Sequence, residues 1–364
     1  MFTYENALHF GFSIGAFLAG LVADNLGRKN AILIGSITGF VVDFACSYTE
    51  SLVVYFLCRF LAGITGMMVF VCSFVLLMEF SGKSIRGTLG LHHSGSFFAL
   101  GFCTCAWVAY YIRDWRTLQR TVAFCHIPNI IFMMFIEESP RWLASKGRIA
   151  EAKGSLQILA IKNRKYEGAN GFEVPINTDN DEGKKYNQLD MFRQGKNMTK
   201  IILTLMYLWI SVAISYYVLT LGGANLPGSI YFNTFMLCLV EIPGCFLVQF
   251  LFPRFGRRLA TGYCYLASAV ACWVSMISGE LGYCEVKADN LTNHWVILNL
   301  LFGFAGKLTL CGAFAAIWVW TAELFPTPVR ATGQGLTSSA GRFSLILTPG
   351  IISLYHLVSW LQEF

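Results

Sequence analysis

The sequence contains few charged residues for its length. Asp, Glu, Lys and Arg make up 13% of its 364 residues, whereas an ordinary soluble domain contains roughly 25%. A soluble fold of this size needs a polar shell, so the scarcity of charge excludes a soluble enzyme. It also argues against a disordered chain and a nucleic-acid-binding protein, because both depend on abundant charge.

The sequence also lacks the motifs of a catalytic or metal centre. No spacing of His and Cys is typical of metal ligands, and no nucleophile is paired with a base. Most of the 12 cysteines lie in apolar stretches, where a thiol behaves as a small hydrophobic group and does not belong to a disulfide framework. We therefore expect no enzyme activity, no metal and no cofactor.

Apolar residues dominate the chain. They make up 55% of it, and the mean hydropathy is +0.55. A membrane-spanning helix needs about 20 apolar residues, and ten such runs are bounded by charges. They cover residues 7–23, 30–48, 51–78, 89–112, 118–136, 199–219, 229–252, 259–278, 295–322 and 334–358. The sequence predicts an all-α, multi-pass integral membrane protein with the lipid bilayer as its partner.

A long polar interruption divides these runs five and five. We expect an N-terminal helical half at residues 1–137, a central loop at 138–198 and a C-terminal helical half at 199–364. On alternating sides of the membrane, 20 Lys and Arg fall on the side of the central loop and four on the other. The positive-inside rule makes the first side cytoplasmic. The sequon at Asn290 then lies outside, where glycosylation is possible.

The two halves share an internal repeat. Gly27-Arg28-Lys29 corresponds to Gly256-Arg257-Arg258, and Glu79, seven residues before Arg86, corresponds to Glu323, seven before Arg330. Parallel repeats of this kind build many transporters. Comparing the halves gives a repeat unit of six helices, so we expect ten of twelve helices here, without the first and the last.

Charged residues recur at the predicted cytoplasmic ends of the helices. Acid and Arg pairs between such loops can hold the two halves of a transporter together as a latch, and their rupture permits rocking. The alternative is that these charges only fix topology and cap helices. The predicted latch residues are Asp24, Gly27, Arg28, Lys29, Glu79, Arg86, Glu138, Arg141, Arg257, Arg258, Glu323 and Arg330.

Four segments resemble signatures of the major facilitator superfamily. They are Gly-x-x-x-Asp-x-x-Gly-Arg-Lys at residues 20–29, Arg-Phe-Leu-Ala-Gly at 59–63, Glu-Ser-Pro-Arg-Trp-Leu at 138–143 and Thr-Ala-Glu-Leu-Phe-Pro-Thr at 321–327. The last two, with Asp-Trp-Arg-Thr-Leu-Gln at 114–119, are similar to the organic cation, anion and carnitine transporter family. This resemblance implies the major facilitator fold and transport of small organic ions across the plasma membrane.

Four ionisable residues lie inside predicted spans, and one of them, Arg59, matches a general position of the superfamily. A charge at this depth is costly unless it faces a partner or water, so Glu241, Lys307 and Arg342 are candidates for binding a charged solute. The alternative is that Glu241 and one of the two cations only neutralise each other. In the resembled family, Arg at the position of Arg342 is typical of anion and carnitine transporters. An Arg that binds a carboxylate and a Glu that binds an ammonium would together suit a zwitterionic solute.

Two aromatic residues complete the candidate site. Trp209 and Tyr216 are seven residues apart, so they share one helix face, and they resemble cavity-lining aromatics of that family. Such rings attract quaternary ammonium groups, although packing against lipid or a neighbouring helix is the alternative.

Three functions stay open from the sequence. The leading hypothesis is transport of carnitine-like zwitterions or organic anions by alternating access. The others are a truncated form that does not transport but associates with or regulates a full-length transporter, and a transporter of neutral, sugar-like solutes.

Overall fold

The computed structural model describes residues 4–82, 84–163, 196–222, 230–285, 294–325 and 329–347. Within those ranges the chain is built of helices and contains no strand. The helices group by mutual contact into two units, each assembled from separate stretches of sequence.

Of the described residues, the first unit comprises those within 1–86, 115–207 and 321–343. Its apolar helices α1, α2 and α3 pack on one another, and α2 also packs on α6 and α7. Two further helices, α8 and α9, form the start of the predicted central loop. The helices of this unit are α1 (Tyr4–Leu26), α2 (Arg28–Cys46), α3 (Leu52–Phe80), α6 (Trp115–Phe124), α7 (His126–Phe135), α8 (Pro140–Ser145), α9 (Ile149–Lys162) and most of α14 (Arg330–Ser344).

The second unit comprises the described residues within 87–114, 208–320 and 344–364. In it α5 packs on α11, and a π-helical turn at His92–Ser96 packs on α12. The helices of this unit are α4 (Arg86–Leu91), α5 (Phe97–Tyr111), α11 (Ile230–Leu239), α12 (Glu241–Glu285) and, except for their ends in the first unit, α10 (Lys196–Gly222) and α13 (His294–Leu324). A 3₁₀ turn, Leu345–Leu347, follows α14.

Six helical stretches are long and apolar enough to cross a membrane. They are Asn6–Leu26, Arg28–Cys46, Leu52–Phe80, Met198–Thr220, Tyr231–Gly279 and Ile297–Leu324. The fifth covers two predicted spans, so these stretches account for seven of the ten. Of the other three, 89–112 is helical with a π turn, 118–136 is two helices meeting at Cys125, and 334–358 is described only to residue 347. These helices confirm the predicted all-α, membrane-spanning fold class.

The predicted repeat has a backbone counterpart. Gly27, between α1 and α2, has φ +104°, and Gly256, inside α12, has φ +72°. Only glycine adopts such values without strain, so both Gly-Arg motifs end one helical stretch and begin another. Gly256 thereby divides α12 near the boundary between the two spans predicted there.

Candidate functional site

Two of the predicted site residues, Glu241 and Lys307, form a buried ion pair in the second unit. Glu241 is the first residue of α12 and Lys307 lies within α13. The Lys307 Nζ atom is 2.9 Å from Glu241 Oε1, and the two side chains expose 1% and 2% of their surface. Glu241 and Lys307 thus neutralise each other as the alternative prediction described, and their role in binding a solute stays a prediction.

Three further side chains complete the hydrogen bonding of this ion pair. Tyr216 donates its hydroxyl to Glu241 Oε1 at 2.6 Å, and the Cys311 thiol donates to Glu241 Oε2 at 3.6 Å. Lys307 donates to Thr220 Oγ1 at 2.6 Å. A buried ion pair is tolerated when such bonds offset the loss of water. We call Glu241, Lys307, Tyr216, Thr220 and Cys311 the Glu241 cluster.

The ring of Tyr216 contacts the Lys307 ammonium. The Nζ atom lies 3.3 Å from the ring centroid, which is a cation–π contact between two buried side chains. Tyr216 also stacks on Phe314, with ring centroids 5.0 Å apart. The ring therefore already binds a cation on one face.

Trp209 shares the Tyr216 face of α10, as the spacing of seven predicted. It is fully buried, with its ring edge-on to Trp318 at 4.8 Å and to Phe314 at 5.8 Å between centroids. These contacts are helix packing within the second unit, which corresponds to the alternative given for the aromatic residues. Contact of Trp209 with a solute stays a prediction.

Arg342 belongs to the first unit. It lies in α14, is 4% exposed, and its guanidinium carbon is 6.0 Å from the centroid of the Phe12 ring in α1. Ser339 holds the same two helices together by donating to the Ser13 carbonyl oxygen at 2.7 Å. The described contacts therefore join Arg342 to α1, and its predicted role in binding an anion is untested.

Several predicted latch residues meet around Arg28 in the first unit. The fully buried Arg28 guanidinium bridges two carboxylates, with Nη2 2.9 Å from Asp24 Oδ1 and 3.1 Å from Glu79 Oε1. Arg330 Nη1 lies 3.9 Å from the same Glu79 oxygen. The other Glu79 oxygen accepts the hydroxyl of Ser139 at 2.5 Å. We call Asp24, Arg28, Glu79, Arg330, Ser139, Thr332 and Glu138 the Arg28 cluster.

Two contacts tie α14 to α1 and α3 within this cluster. Thr332 donates its backbone N–H to Asp24 Oδ2 at 2.9 Å and its hydroxyl to the same oxygen at 2.6 Å. The Arg330–Glu79 ion pair is the second contact. Asp24 and Glu79 come from the predicted N-terminal half and Arg330 and Thr332 from the C-terminal half, so the cluster joins distant parts of the sequence.

Glu138 caps the start of α2. Its carboxylate accepts the backbone N–H of Arg28 at 3.0 Å and that of Lys29 at 3.1 Å. A methyl group on Gly27 would overlap the Glu138 carboxylate, so this close approach requires glycine. Burial raises the pKa of Glu138, while the hydrogen bonds from Ser139, Lys29 and Arg28 act in the opposite direction.

The surplus arginines of this region repel one another. Burial lowers the pKa of Arg330, and the charges of Arg86, Arg141 and Arg28 lower it further, against the attraction of Glu79. Burial and Arg86 likewise lower the pKa of Arg141. Both arginines therefore sit near other cations, and Glu79 is the carboxylate that favours their charged form.

The remaining predicted latch residues lie elsewhere. Arg257 belongs to the second unit, with its guanidinium carbon 4.3 Å from the centroid of Phe252. Arg258 and Glu323 are exposed. The predicted glycosylation site, Asn290, falls outside the described residues.

Sequence reasoning missed four polar residues that complete the two clusters. Thr220 is four residues after Tyr216, and Cys311 four after Lys307, so helical spacing placed each on the face of a known candidate. Ser139 directly follows Glu138. Thr332 contacts Asp24 across 308 positions, and no local spacing signals such a contact. Glu138 was predicted as a latch residue, but its role as the cap of α2 was not predicted.

Comparison with protein families matches residues 4–353 to the family described as "Sugar (and other) transporter". Among curated proteins, the chain is 31% identical over 360 residues to human organic cation/carnitine transporter 2, covering 94% of this chain and 60% of that protein. It is 32% identical over 357 residues to solute carrier family 22 member 15-like of Xenopus tropicalis, covering 95% and 69%. It is 31% identical over 362 residues to organic cation transporter 1 of Caenorhabditis elegans, covering 97% and 59%.

The chain thus spans about 60% of the length of the human and nematode relatives. These relatives are transporters by name, which agrees with the prediction that the chain is not an enzyme.

Solved structures give the same fold. The proton:xylose symporter XylE superimposes with a TM-score of 0.69 at 19% identity, over 98% of this chain and 78% of that one. The human organic anion transporter MFSD10 superimposes with a TM-score of 0.60 at 13% identity, over 95% and 76%. At these identities the likeness establishes the fold alone, which is the predicted major facilitator fold.

Proposed function

We propose that this chain carries small organic ions across the plasma membrane, because it belongs to the organic cation, anion and carnitine transporter family of the major facilitator superfamily. Carnitine-like zwitterions are the substrate class that we favour, and organic anions are the second. The observation that carries this proposal is the Lys307 ammonium, held between the Glu241 carboxylate and the Tyr216 ring.

The Lys307 environment is suited to an organic cation. An aromatic face and a carboxylate together are the groups that recognise a substituted ammonium. A quaternary ammonium that took the place of the Lys307 head group on Tyr216 would gain both contacts. Lys307 would then need another anion, because an unpaired buried charge is costly.

A zwitterion meets both requirements at once. Its ammonium pairs with Glu241 while its carboxylate pairs with Lys307, so every charge keeps a partner throughout the exchange. A simple organic cation would leave Lys307 unpaired, and a neutral sugar would offer neither charge. The charge balance of the Glu241 cluster therefore favours zwitterions.

We also propose that the Arg28 cluster is the latch of an alternating-access cycle. The Arg330–Glu79 ion pair and the bonds from Thr332 to Asp24 support this role, since they join the two predicted halves and consist of polar contacts that water can replace. Their rupture and re-formation would accompany the opening and closing of the predicted cytoplasmic side.

The transport proposal is tested in proteoliposomes that contain the full chain. Uptake of labelled carnitine, tetraethylammonium, p-aminohippurate and glucose is compared with uptake by protein-free liposomes. We expect saturable carnitine uptake and little glucose uptake. Glucose uptake alone would favour the neutral-solute hypothesis. No uptake of any of the four would contradict transport by this chain and favour a regulatory role, which co-purification with a full-length relative would then test.

The site is tested with two variants and a matched control. Tyr216→Phe removes the hydroxyl that binds Glu241 but keeps the ring, and Glu241→Gln removes the charge. Because a hydrogen bond to a charged group contributes about 1.5–3 kcal/mol, we expect each variant to reduce kcat/KM for carnitine about tenfold or more. Glu151→Gln, at an exposed carboxylate in α9, should leave uptake unchanged. Equal uptake by all three variants would contradict the site assignment.

A further inference from the structure

Two buried thiols lie beside Glu241 where α12 packs on α13. Cys245 lies four residues after Glu241 in α12, on the same face of that helix, and Cys311 lies in α13. They expose 0% and 2% of their surface. Cys311 also donates to the Glu241 carboxylate. The transport proposal uses neither thiol as a reactive group.

The backbones of α12 and α13 lie unusually close at this point. A methyl group on Gly244 would overlap the Leu308 carbonyl oxygen, and one on Gly312 would lie 3.0 Å from the Gly244 carbonyl oxygen. Cys245 and Cys311 directly adjoin these two glycines. A disulfide needs Cα atoms about 4.4–6.8 Å apart, and a glycine-mediated crossing brings two helices close enough for such a bond.

The π-helical turn fixes the position of one thiol. A methyl group on Gly95 would overlap Cys245 Sγ. Single π turns inside helices often occur at functional sites. The same methyl group would also contact Ala315 of α13, four residues after Cys311, so Cys245 lies on the side of α12 that faces α13.

We propose that Cys245 and Cys311 are a peroxide-oxidisable dithiol that closes to an intrachain disulfide. One thiol, as its thiolate, attacks a peroxide oxygen and becomes a sulfenic acid, while the other peroxide oxygen leaves as water. The second thiol then attacks that sulfur, and the sulfenic oxygen leaves as a second water. Two thiols and one hydrogen peroxide thus yield one disulfide and two waters.

Closure of the disulfide changes the Glu241 cluster. The Cys311 sulfur no longer carries a hydrogen to donate, so Glu241 Oε2 loses the thiol bond, and α12 becomes covalently joined to α13. If these helices shift against each other during transport, the bond prevents that shift. The consequence for uptake rests on the proposed function, whereas formation of the bond does not.

The test uses the purified full chain in detergent, treated with hydrogen peroxide, blocked with a maleimide and digested without reduction. Mass spectrometry then measures the peptide that links Cys245 to Cys311. We expect this peptide to be the main disulfide product in the wild type and to disappear after reduction. Cys245→Ser and Cys311→Ser should each abolish it, and Cys264→Ser, at another buried cysteine of α12, should leave it unchanged.

Two results would overturn the dithiol proposal. One is that both thiols stay reduced under peroxide doses that oxidise the denatured chain. The other is that Cys245 links to a different cysteine in the folded wild type. These results come from the unsubstituted chain, so they do not depend on whether a variant folds.

A separate uptake measurement distinguishes this proposal from the transport proposal. We expect oxidation to reduce wild-type carnitine uptake about tenfold and reducing agent to restore it, because the disulfide removes a bond to a charged group. If the linked peptide forms and uptake is unchanged, the dithiol stands and the assignment of Glu241 to the transport site fails.

Discussion

The ammonium nitrogen of Lys307 lies 2.9 Å from a carboxylate oxygen of Glu241, and the two side chains expose only 1% and 2% of their surface. Because the pair is so deeply buried, its two charges depend on each other. Either charge alone at this position would be costly. The stability of the protein and its proposed selectivity therefore rest on the same contact.

A double-mutant cycle measures this dependence. Glu241→Gln or Lys307→Met alone leaves the other charge unpaired, so we expect each to destabilise the chain by about 3–5 kcal/mol. The double variant removes both charges and should be more stable than either single variant. The measurement is thermal unfolding of the detergent-solubilised protein. Destabilisations that simply add would contradict a coupled pair.

The bridging role of Arg28 is tested by Arg28→Lys. A single ammonium cannot reproduce the fork with which the guanidinium contacts Asp24 and Glu79. Loss of at least one hydrogen bond to a charged group should cost about 1.5–3 kcal/mol, measured as a lower unfolding temperature. Arg258→Lys, at an exposed arginine of the repeated motif, is the matched control and should change stability by less than about 0.5 kcal/mol. Similar effects at the two positions would argue against the bridge.

The cap at the start of α2 is tested by Glu138→Ala. The substitution removes the acceptor of the Arg28 and Lys29 backbone N–H groups, and loss of a helix cap costs about 1–2 kcal/mol. Glu137→Ala is the control, because it removes the neighbouring carboxylate instead. Thermal unfolding of both variants should separate them, and equal stabilities would contradict the capping role.

The same carboxylate predicts a pH dependence. Burial raises the pKa of Glu138 above its ordinary value of 4.5. At a pH between 4.5 and the raised pKa, the Glu138 carboxyl is therefore protonated in the folded chain and ionised in the unfolded chain. The contribution of this pKa shift to the stability of the folded chain is therefore fully present below pH 4.5 and is lost as the pH rises through the raised pKa of Glu138. The stability difference between wild type and Glu138→Ala should narrow as the pH rises from about 4 to 7. A difference that widens over this range would contradict the shift.

Much of the fold follows from local sequence patterns. Apolar runs of sufficient length predict spanning helices because the bilayer leaves backbone groups no other partner, and seven predicted spans lie in helices long and apolar enough to cross it. The charged residues at the ends of those runs likewise predict where the spans end. By contrast, the break at Cys125 and the π turn at His92–Ser96 depend on how side chains pack, and the apolar pattern of the sequence does not encode them.

The candidate site was predictable only in part. A deep Glu and a deep Lys indicated that charges must be partnered, yet the sequence allowed Glu241 to pair with Lys307 or with Arg342. Folding placed Lys307 in contact with Glu241 and left Arg342 in a different unit. Helical spacing could indicate Thr220 and Cys311, but the bond from Thr332 to Asp24 joins residues 308 positions apart.

The amino-acid pattern is enough to identify a helical membrane protein that is built from two similar halves and has charged residues inside its spans. Those properties depend on composition, run length and repeated motifs, which are local. Helix packing shows which charges neutralise each other, which carboxylate caps α2 and which thiol binds Glu241. Ion pairs and hydrogen bonds act over a few ångströms, and residues that are far apart in the sequence come within that range only when the helices pack together.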